Sequence, residues 1–270
     1  MNKLDNKNLV TLLNNINIQI LDQGHFVGDN NWKYYNITSP FNRLYFVIDG
    51  NSYIQNATEK INLIPNYMYL IPLHLNYNYI CNDYFEKYYL HFNCTIFSGN
   101  DIFSNLNSCC KLPIDSSSLN MLLEKISINN LSDIFWYKSF FLNCIAQFIE
   151  NHIVNLDNQI LTGLKYERIF NFIKSNLSYK ITLNQLAEKM NISPSNLSIN
   201  FRIDMNCTIK EYVNSKIIQQ CKQKLLLEDR SVKEIAYNLG FNDEFYFFRF
   251  FKRQTGLSPK NYKIINKFIK

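Results

Sequence analysis

The sequence predicts an α+β chain, with a strand-rich N-terminal half and an all-helical C-terminal half. Three observations predict it. Between Trp32 and Asn93, short apolar and aromatic runs alternate with turn residues, the spacing of a β-sandwich or small barrel. From Gly163 to the end, apolar residues recur at helical intervals. The charge changes at the same place. Residues from Gly163 onward carry 19 Lys+Arg against 9 Asp+Glu, a net +10, whereas those before it carry 9 against 13, a net −4. With 270 residues, 47% of them hydrophobic, the chain has material for two ordinary domains with real cores, which excludes global disorder.

The N-terminal elements follow in order. Leu44–Ile48 runs into Asp49-Gly50-Asn51, a turn signal, and Ser52–Gln55 follows, which reads as a hairpin. Further strands are expected at Lys60–Leu63, Tyr67–Ile71, Tyr77–Cys81 and Tyr88–Phe92, separated by Pro65-Asn66, Pro72 and Asn82-Asp83. Leu119–Ile128 and Ile134–Asn151 then show helical spacing. In the second, Phe140, Phe141, Cys144, Ile145 and Phe148 form a broad apolar face. The polar stretch Asn155–Thr162 is the linker candidate, so the expected domains are 1–158 and 159–270.

Several function classes find no support. Seven cysteines, none in a Cys-x-x-Cys pair, argue against zinc and thioredoxin-like sites and fit reduced thiols. A metal-dependent barrel enzyme needs a His-x-His pair with a nearby Glu and a later His. His74 stands alone between Leu73 and Leu75, and His91 alone between Leu90 and Phe92, so no metal and no cofactor are expected. No apolar run is long enough for a membrane helix. The start, Met1 to Asn8, lacks the apolar centre of a signal peptide, so a cytoplasmic location without membrane attachment is expected.

The basic half contains a repeat. Thr182-Leu183-Asn184-Gln185 has the form of a capping box, in which the threonine hydroxyl accepts from the third helical N–H and the glutamine reaches back. Leu186–Met190 continues that helix, and Asn191 can take the left-handed conformation that ends it. Ser193-Pro194 supplies a new N-cap and first-turn proline, and Leu197 and Phe201 lie four apart on the next helix. About fifty residues later Ser231-Val232-Lys233-Glu234 opens a second such unit. Gly240 closes its first helix, Asn242 or Asp243 caps the next, and Phe247 and Phe251 repeat the Leu197/Phe201 pair. Each unit reads as a helix-turn-helix, with Ala187 and Ala236 where the two helices must approach closely. A long helix, Ile209–Leu227, joins them, with Val213, Ile217, Cys221 and Leu225 along one side. Two plain helical hairpins would show the same apolar spacing; the repeat and the basic charge together favour nucleic acid.

These residues resemble the AraC/XylS-type transcription regulators. The resemblance covers about residues 163–270 and is carried by Ile235-Ala236, Gly240-Phe241, Tyr246-Phe247, Phe251-Lys252 and Gly256-Leu257-Ser258-Pro259-Lys260-Asn261-Tyr262. The first unit departs from the family pattern. Ile199 stands where arginine is common, and Asn191 and Asn206 stand where glycine is common. In the N-terminal half, Arg43–Gly50, Leu70-Ile71-Pro72 and Tyr88–Phe92 resemble strands of the cupin-type sensor found in many members, followed by a helical dimerisation segment.

The resemblance implies a sequence-specific regulator of transcription: a ligand-responsive activator, homodimeric, binding double-stranded DNA and working with RNA polymerase, with no enzymatic activity. Its exposed recognition positions match Ser195, Asn196, Ser198, Ile199 and Arg202 in the first unit. In the second they match Glu244, Phe245, Phe248, Arg249 and Lys252. Arg249 suits guanine or a phosphate, and Glu244 suits a cytosine amino group. Phe245 and Phe248 suit thymine methyls or else pack against the linking helix. Arg202, Lys252, Arg253, Lys260 and Lys263 are phosphate candidates or simply solvated charges. Trp32, Arg43, Tyr45, Tyr69 and His91 are candidates for an effector pocket, the effector being a small molecule such as a sugar; otherwise they are core residues. Two alternatives of other classes stand beside this reading. One is a DNA-binding domain fused to an enzyme of cupin type or of thiol-based DNA repair, though the first 80 residues contain no cysteine. The other is an architectural DNA binder without a sensor.

Overall fold

The computed structural model describes residues 6–97, 101–125, 130–152 and 157–266. Their contacts divide the chain into two units. One holds residues 19–93, 103–125 and 130–152; the other holds residues 6–18, 94–97, 101–102 and 157–266.

The first unit is built on a seven-stranded sheet. Its strands are β1 (Ile16–Asp29), β2 (Lys33–Thr38), β3 (Asn42–Gln55), β4 (Lys60–Leu63), β5 (Tyr67–Ile71), β6 (Asn76–Ile96) and β7 (Cys110–Pro113). The order is β1-β6-β3-β5-β7, with β2 on β6 and β4 on β3. β3 pairs antiparallel with β4, β5 and β6, and β2 with β6 likewise.

Two expected turns are instead bends inside long strands. Asp49-Gly50-Asn51 does not reverse the chain, because β3 runs through it with register shifts between Val47 and Asp49 and between Gly50 and Ser52. Gly50 sits at φ +82°, and a Cβ there would lie 2.3 Å from the Tyr84 carbonyl oxygen of β6. The residue serves a bulge and a close backbone approach, which require the same left-handed glycine as a tight turn. Asn82-Asp83 likewise lies within β6. β3 and β6 stay paired on both sides of the bulges. Tyr77, Tyr79 and Ile54 from the far stretch therefore share one buried cluster with Tyr45 and Val47 from the near one and with Tyr69 of β5. The opposite face of the sheet meets α3 (Leu131–His152), through ring contacts of Phe46 with Phe140, Tyr88 with Tyr137 and Phe92 with Phe141. Before it, α2 (Ser116–Glu124) is capped by Asp115, whose carboxylate accepts from Ser118 N at 2.8 Å.

The second unit is helical: α1 (Asn6–Asn15), α4 (Asp157–Ser175), α5 (Leu183–Met190), α6 (Pro194–Met205), α7 (Ile209–Leu227), α8 (Val232–Asn238), α9 (Glu244–Thr255) and α10 (Pro259–Asn266). The expected linker at 155–162 is corrected in part. Its first two residues lie outside the described ones, but α4 begins at Asp157. Ile160 and Leu164 pack against the helical core, so the polar stretch carries one apolar side that suffices for helix. Leu12 of α1 and Phe97 enter the same core. Phe97 N donates to the Asn15 carbonyl at 3.0 Å, and Asn15 Nδ2 donates to Glu167 at 3.1 Å. A division at residue 158 would therefore separate α1 and Phe97 from the core they enter. All seven cysteines are free thiols.

Candidate nucleic-acid interface

Local hydrogen bonds set the two helix-turn-helix units. In the first, Gln185 N donates to Thr182 Oγ1 at 3.3 Å and Thr182 N donates to Gln185 Oε1 at 2.9 Å, closing the capping box. Asn191 ends α5 in the left-handed region at φ 53°, and Ser193 Oγ accepts from Asn196 N at 3.2 Å to start α6. In the second, Glu234 N donates to Ser231 Oγ at 3.2 Å and Ser231 N to Glu234 at 2.8 Å. Gly240 turns the chain at φ +83°, and Asp243 accepts from Phe245 N at 2.9 Å and Tyr246 N at 3.1 Å. Asp243, not Asn242, is therefore the cap of α9. Leu197 and Phe201 of α6 and Phe247 and Phe251 of α9 are fully buried, as are Ala187 and Ala236. Phe201 packs on Tyr212, and Phe251 on Tyr262. Those two tyrosines are themselves fifty positions apart by number.

With those rings inward, the opposite sides of α6 and α9 face solvent. Ser195, Ser198, Ile199 and Arg202 are exposed on α6, and Phe245, Phe248, Arg249 and Lys252 on α9. Both sets follow the i, i+3, i+4, i+7 spacing of a single helix face, and Ile199 occupies in α6 the position Arg249 has in α9. Asn196 and Arg253 are also exposed, while Glu244 and Lys263 are half-buried. Phe245 is 68% exposed, so its ring is not packed against α7; Phe248, at 37%, touches the Phe247 ring edge-on at 6.4 Å. The sequence reading missed two residues of this region. Ile203 is 69% exposed beside Arg202, and Phe250 is buried with Phe247 and Phe251. Both were legible as positions four from Ile199 and three from Phe247. Not all of the basic charge is available to a partner. Lys216 and Lys222 of α7 are half-buried. Burial lowers the pKa of Lys222 and, opposed by Asp101, lowers that of Lys216 to about 8.

In the sheet unit, Trp32, Arg43, Tyr45, Tyr69 and His91 are all buried. Tyr69 has a structural task, since its hydroxyl accepts from Ile64 N at 3.0 Å and donates to the Asn62 carbonyl at 2.9 Å. The other four face one interior together with two residues not singled out in the sequence, Tyr79 and Lys87. The alternation Lys87-x-Tyr89-x-His91 along β6 is the signal that places Lys87 on the His91 side.

Residues 186–263 match a family described as a helix-turn-helix domain. Over 92 residues, the chain is 35% identical to an uncharacterized HTH-type transcriptional regulator of Pseudoalteromonas carrageenovora, covering 34% of this chain and 54% of that protein. Over 108 residues it is 28% identical to the xylose operon regulatory protein of Haemophilus influenzae, covering 40% of this chain and 28% of that one. The helical half carries a helix-turn-helix domain. The chain spans less than two thirds of the length of these curated relatives. A crystal structure of ToxT from Vibrio cholerae resembles the fold across both units, with a TM-score of 0.50 at 14% identity over 93% of this chain and 99% of that one. The helix-turn-helix domain of this chain thus belongs to a strand-plus-helix architecture already known in a solved structure. Among the described residues no helix is long and apolar enough to cross a membrane.

Proposed function

We propose that the chain is a sequence-specific, double-stranded-DNA-binding transcription regulator, a ligand-responsive activator without enzymatic activity, acting in the cytoplasm. One observation carries this reading: α6 and α9 present solvent stripes of the same four-position spacing from two helix-turn-helix units whose first helices, α5 and α8, both open with a capping box. Each stripe suits a major groove. Arg249 pairs with guanine, Glu244 accepts from cytosine, and Ser195, Asn196 and Ser198 offer short hydrogen-bonding groups. Ile199, Phe245 and Phe248 meet thymine methyls. Arg202, Lys252, Arg253, Lys260 and Lys263 contact phosphates and fix the register.

The sheet unit serves as the effector sensor. Leu131, Ile134, Phe135 and Leu142 are exposed along one side of α3, an apolar face that suits a second copy of the chain and supports a homodimer. RNA polymerase is the partner that an activator requires.

Footprinting of the full chain on duplexes selected from random sequence tests the proposal. Two units engaged together protect roughly two helical turns, with centres about 34 Å apart. Protection of one groove segment, or equal binding to every duplex, overturns it.

A further inference from the structure

The interior of the sheet unit holds basic side chains, Arg43, Lys87 and His91, with nitrogens that have no hydrogen-bond partner among the described residues. The antiparallel register of β3 and β6 sets Arg43 opposite His91, Tyr45 opposite Tyr89 and Val47 opposite Lys87. These residues alternate along each strand, so they share one face. Arg43 is 2% exposed, His91 2% and Lys87 0%. Arg43 Nη1 donates to the Tyr79 hydroxyl at 2.6 Å, but Arg43 Nε has no partner among the described residues. Lys87 Nζ, Tyr45 OH, Trp32 Nε1 and both nitrogens of His91 also lack hydrogen bonds. The acid that approaches is Asp22 of β1, at the rim, whose carboxylate lies 3.7 Å from His91 Nδ1 and accepts from Tyr89 OH at 3.5 Å.

Lys87 is held in a cage of rings instead. Its Nζ stands 3.4 Å from the Tyr45 ring centre, 4.5 Å from Trp32, 5.4 Å from Phe26 and 5.5 Å from Phe85. The faces of such rings attract a cation, but less strongly than loss of its hydration penalises it. Burial accordingly drives the Lys87 pKa well below the usual lysine value, and neighbouring Arg43 pushes it the same way. The groups left unpartnered are mainly donors and cations, the complement of an anion.

We propose that this interior is the receptor site for an organic monocarboxylate, held by Lys87 and Arg43. Trp32 Nε1 and Tyr45 OH are the neighbouring donors, and the aromatic walls cover the ligand's apolar body. Arg43 and Lys87, the latter protonated as the anion binds, supply its countercharge. Access is from an open groove of about 350 Å³ lined by Phe26, Asp29, Asn31, Trp32, Tyr34 and Tyr84, because Phe26 and Trp32 also face Lys87. A sugar's hydroxyls could accept from these donors but bring no negative charge to Arg43 and Lys87. As the effector's identity, this inference rests on the regulator reading above; as a binding site, it stands on the sheet unit alone.

The test is thermal-shift and calorimetric titration of the full chain with octanoate, benzoate and phenylacetate, with benzamide as the uncharged counterpart and inorganic phosphate as the non-carboxylate anion. At least one carboxylate raises the melting temperature by several degrees, while benzamide and phosphate do not. Lys87→Met abolishes that shift and raises the melting temperature of the unliganded chain, because it removes an amine buried without a hydrogen-bond partner. Lys87→Gln abolishes the shift as well. No shift with any carboxylate, equal shifts with benzamide or phosphate, binding retained in both variants, or a lowered melting temperature in unliganded Lys87→Met overturns the proposal. The comparison of benzoate with benzamide on the unaltered chain decides even where a variant does not fold. Operator binding is measured on the same preparations. A chain that binds carboxylate but no DNA refutes the regulator reading and leaves the site standing, and one that binds DNA but no carboxylate does the reverse.

Discussion

Replacing Arg249 by alanine separates reading a base from anchoring on a phosphate. Arg249 is exposed on α9, four residues after Phe245 and three before Lys252 on the same stripe. Its guanidinium lies 5.9 Å from the Tyr246 ring. Held in this way on a capped helix, it suits a bidentate contact with guanine, which is worth about 1–3 kcal/mol of discrimination. Arg249→Ala is therefore expected to weaken binding to the selected duplex by about 5- to 150-fold, and to a scrambled duplex by much less. Lys263, half-buried on α10, is the contrast. Lys263→Ala is expected to weaken both duplexes alike and to reduce the salt slope by roughly one. Ile199 is a third point, since it occupies in α6 the position Arg249 has in α9 and carries no charge. Ile199→Arg should strengthen binding to all DNA or change the preferred half-site. Fluorescence-anisotropy titrations at several salt concentrations measure all three. Equal losses on both duplexes for Arg249→Ala would refute its role as a reader and make it an anchor.

Three further outcomes are expected. Phe245→Ala should change stability by no more than about 0.5 kcal/mol, because the ring is 68% exposed, yet lower operator affinity; a fall in melting temperature would show instead that the ring is packed. Gly240→Ala should destabilise the helical unit by roughly 2–4 kcal/mol, combining a left-handed backbone with crowding. The added Cβ would stand 2.0 Å from Ser178 Oγ and 3.2 Å from Ser178 Cβ. Ser178→Gly should recover the crowding part in a denaturation cycle, and full additivity of the two losses would contradict this. Asp204 accepts from Lys165 Nζ at 2.5 Å and Tyr166 OH at 2.6 Å, and these bonds hold its carboxyl below the ordinary value. Its contribution is present above the unfolded carboxyl pKa of about 3.9 and is lost as pH falls through the lower folded value. Asp204→Asn should therefore flatten the acid limb of the stability curve below about pH 4, and urea denaturation at pH 7 and pH 3 that gave the same difference for both chains would refute it.

The helix-turn-helix units were legible in the sequence almost residue by residue. The reason is range: each capping box, the Ser193 and Asp243 caps and the left-handed turns at Asn191 and Gly240 are settled by hydrogen bonds spanning two to five residues. Such contacts form with much the same geometry in any helix of that sequence. The inward pairs Leu197/Phe201 and Phe247/Phe251 followed from helical spacing, and with them the exposed stripes. Tertiary structure decided the rest. Asp49-Gly50 serves a hairpin or a bulge equally well, and only the Tyr84 carbonyl of β6, 34 residues further along the chain, selects the bulge. The polar residues after Asp157 became helix because Ile160 and Leu164 meet a core assembled largely from later residues. Lys87 alone reads as a surface lysine. Its burial arises because the β3–β6 register sets it beside Val47, on the face of Tyr45 and Arg43, and because the bent strands carry Tyr79 onto the same interior. The energy of a charge depends on all that surrounds it, and strand pairing assembled those surroundings from residues distant in the sequence.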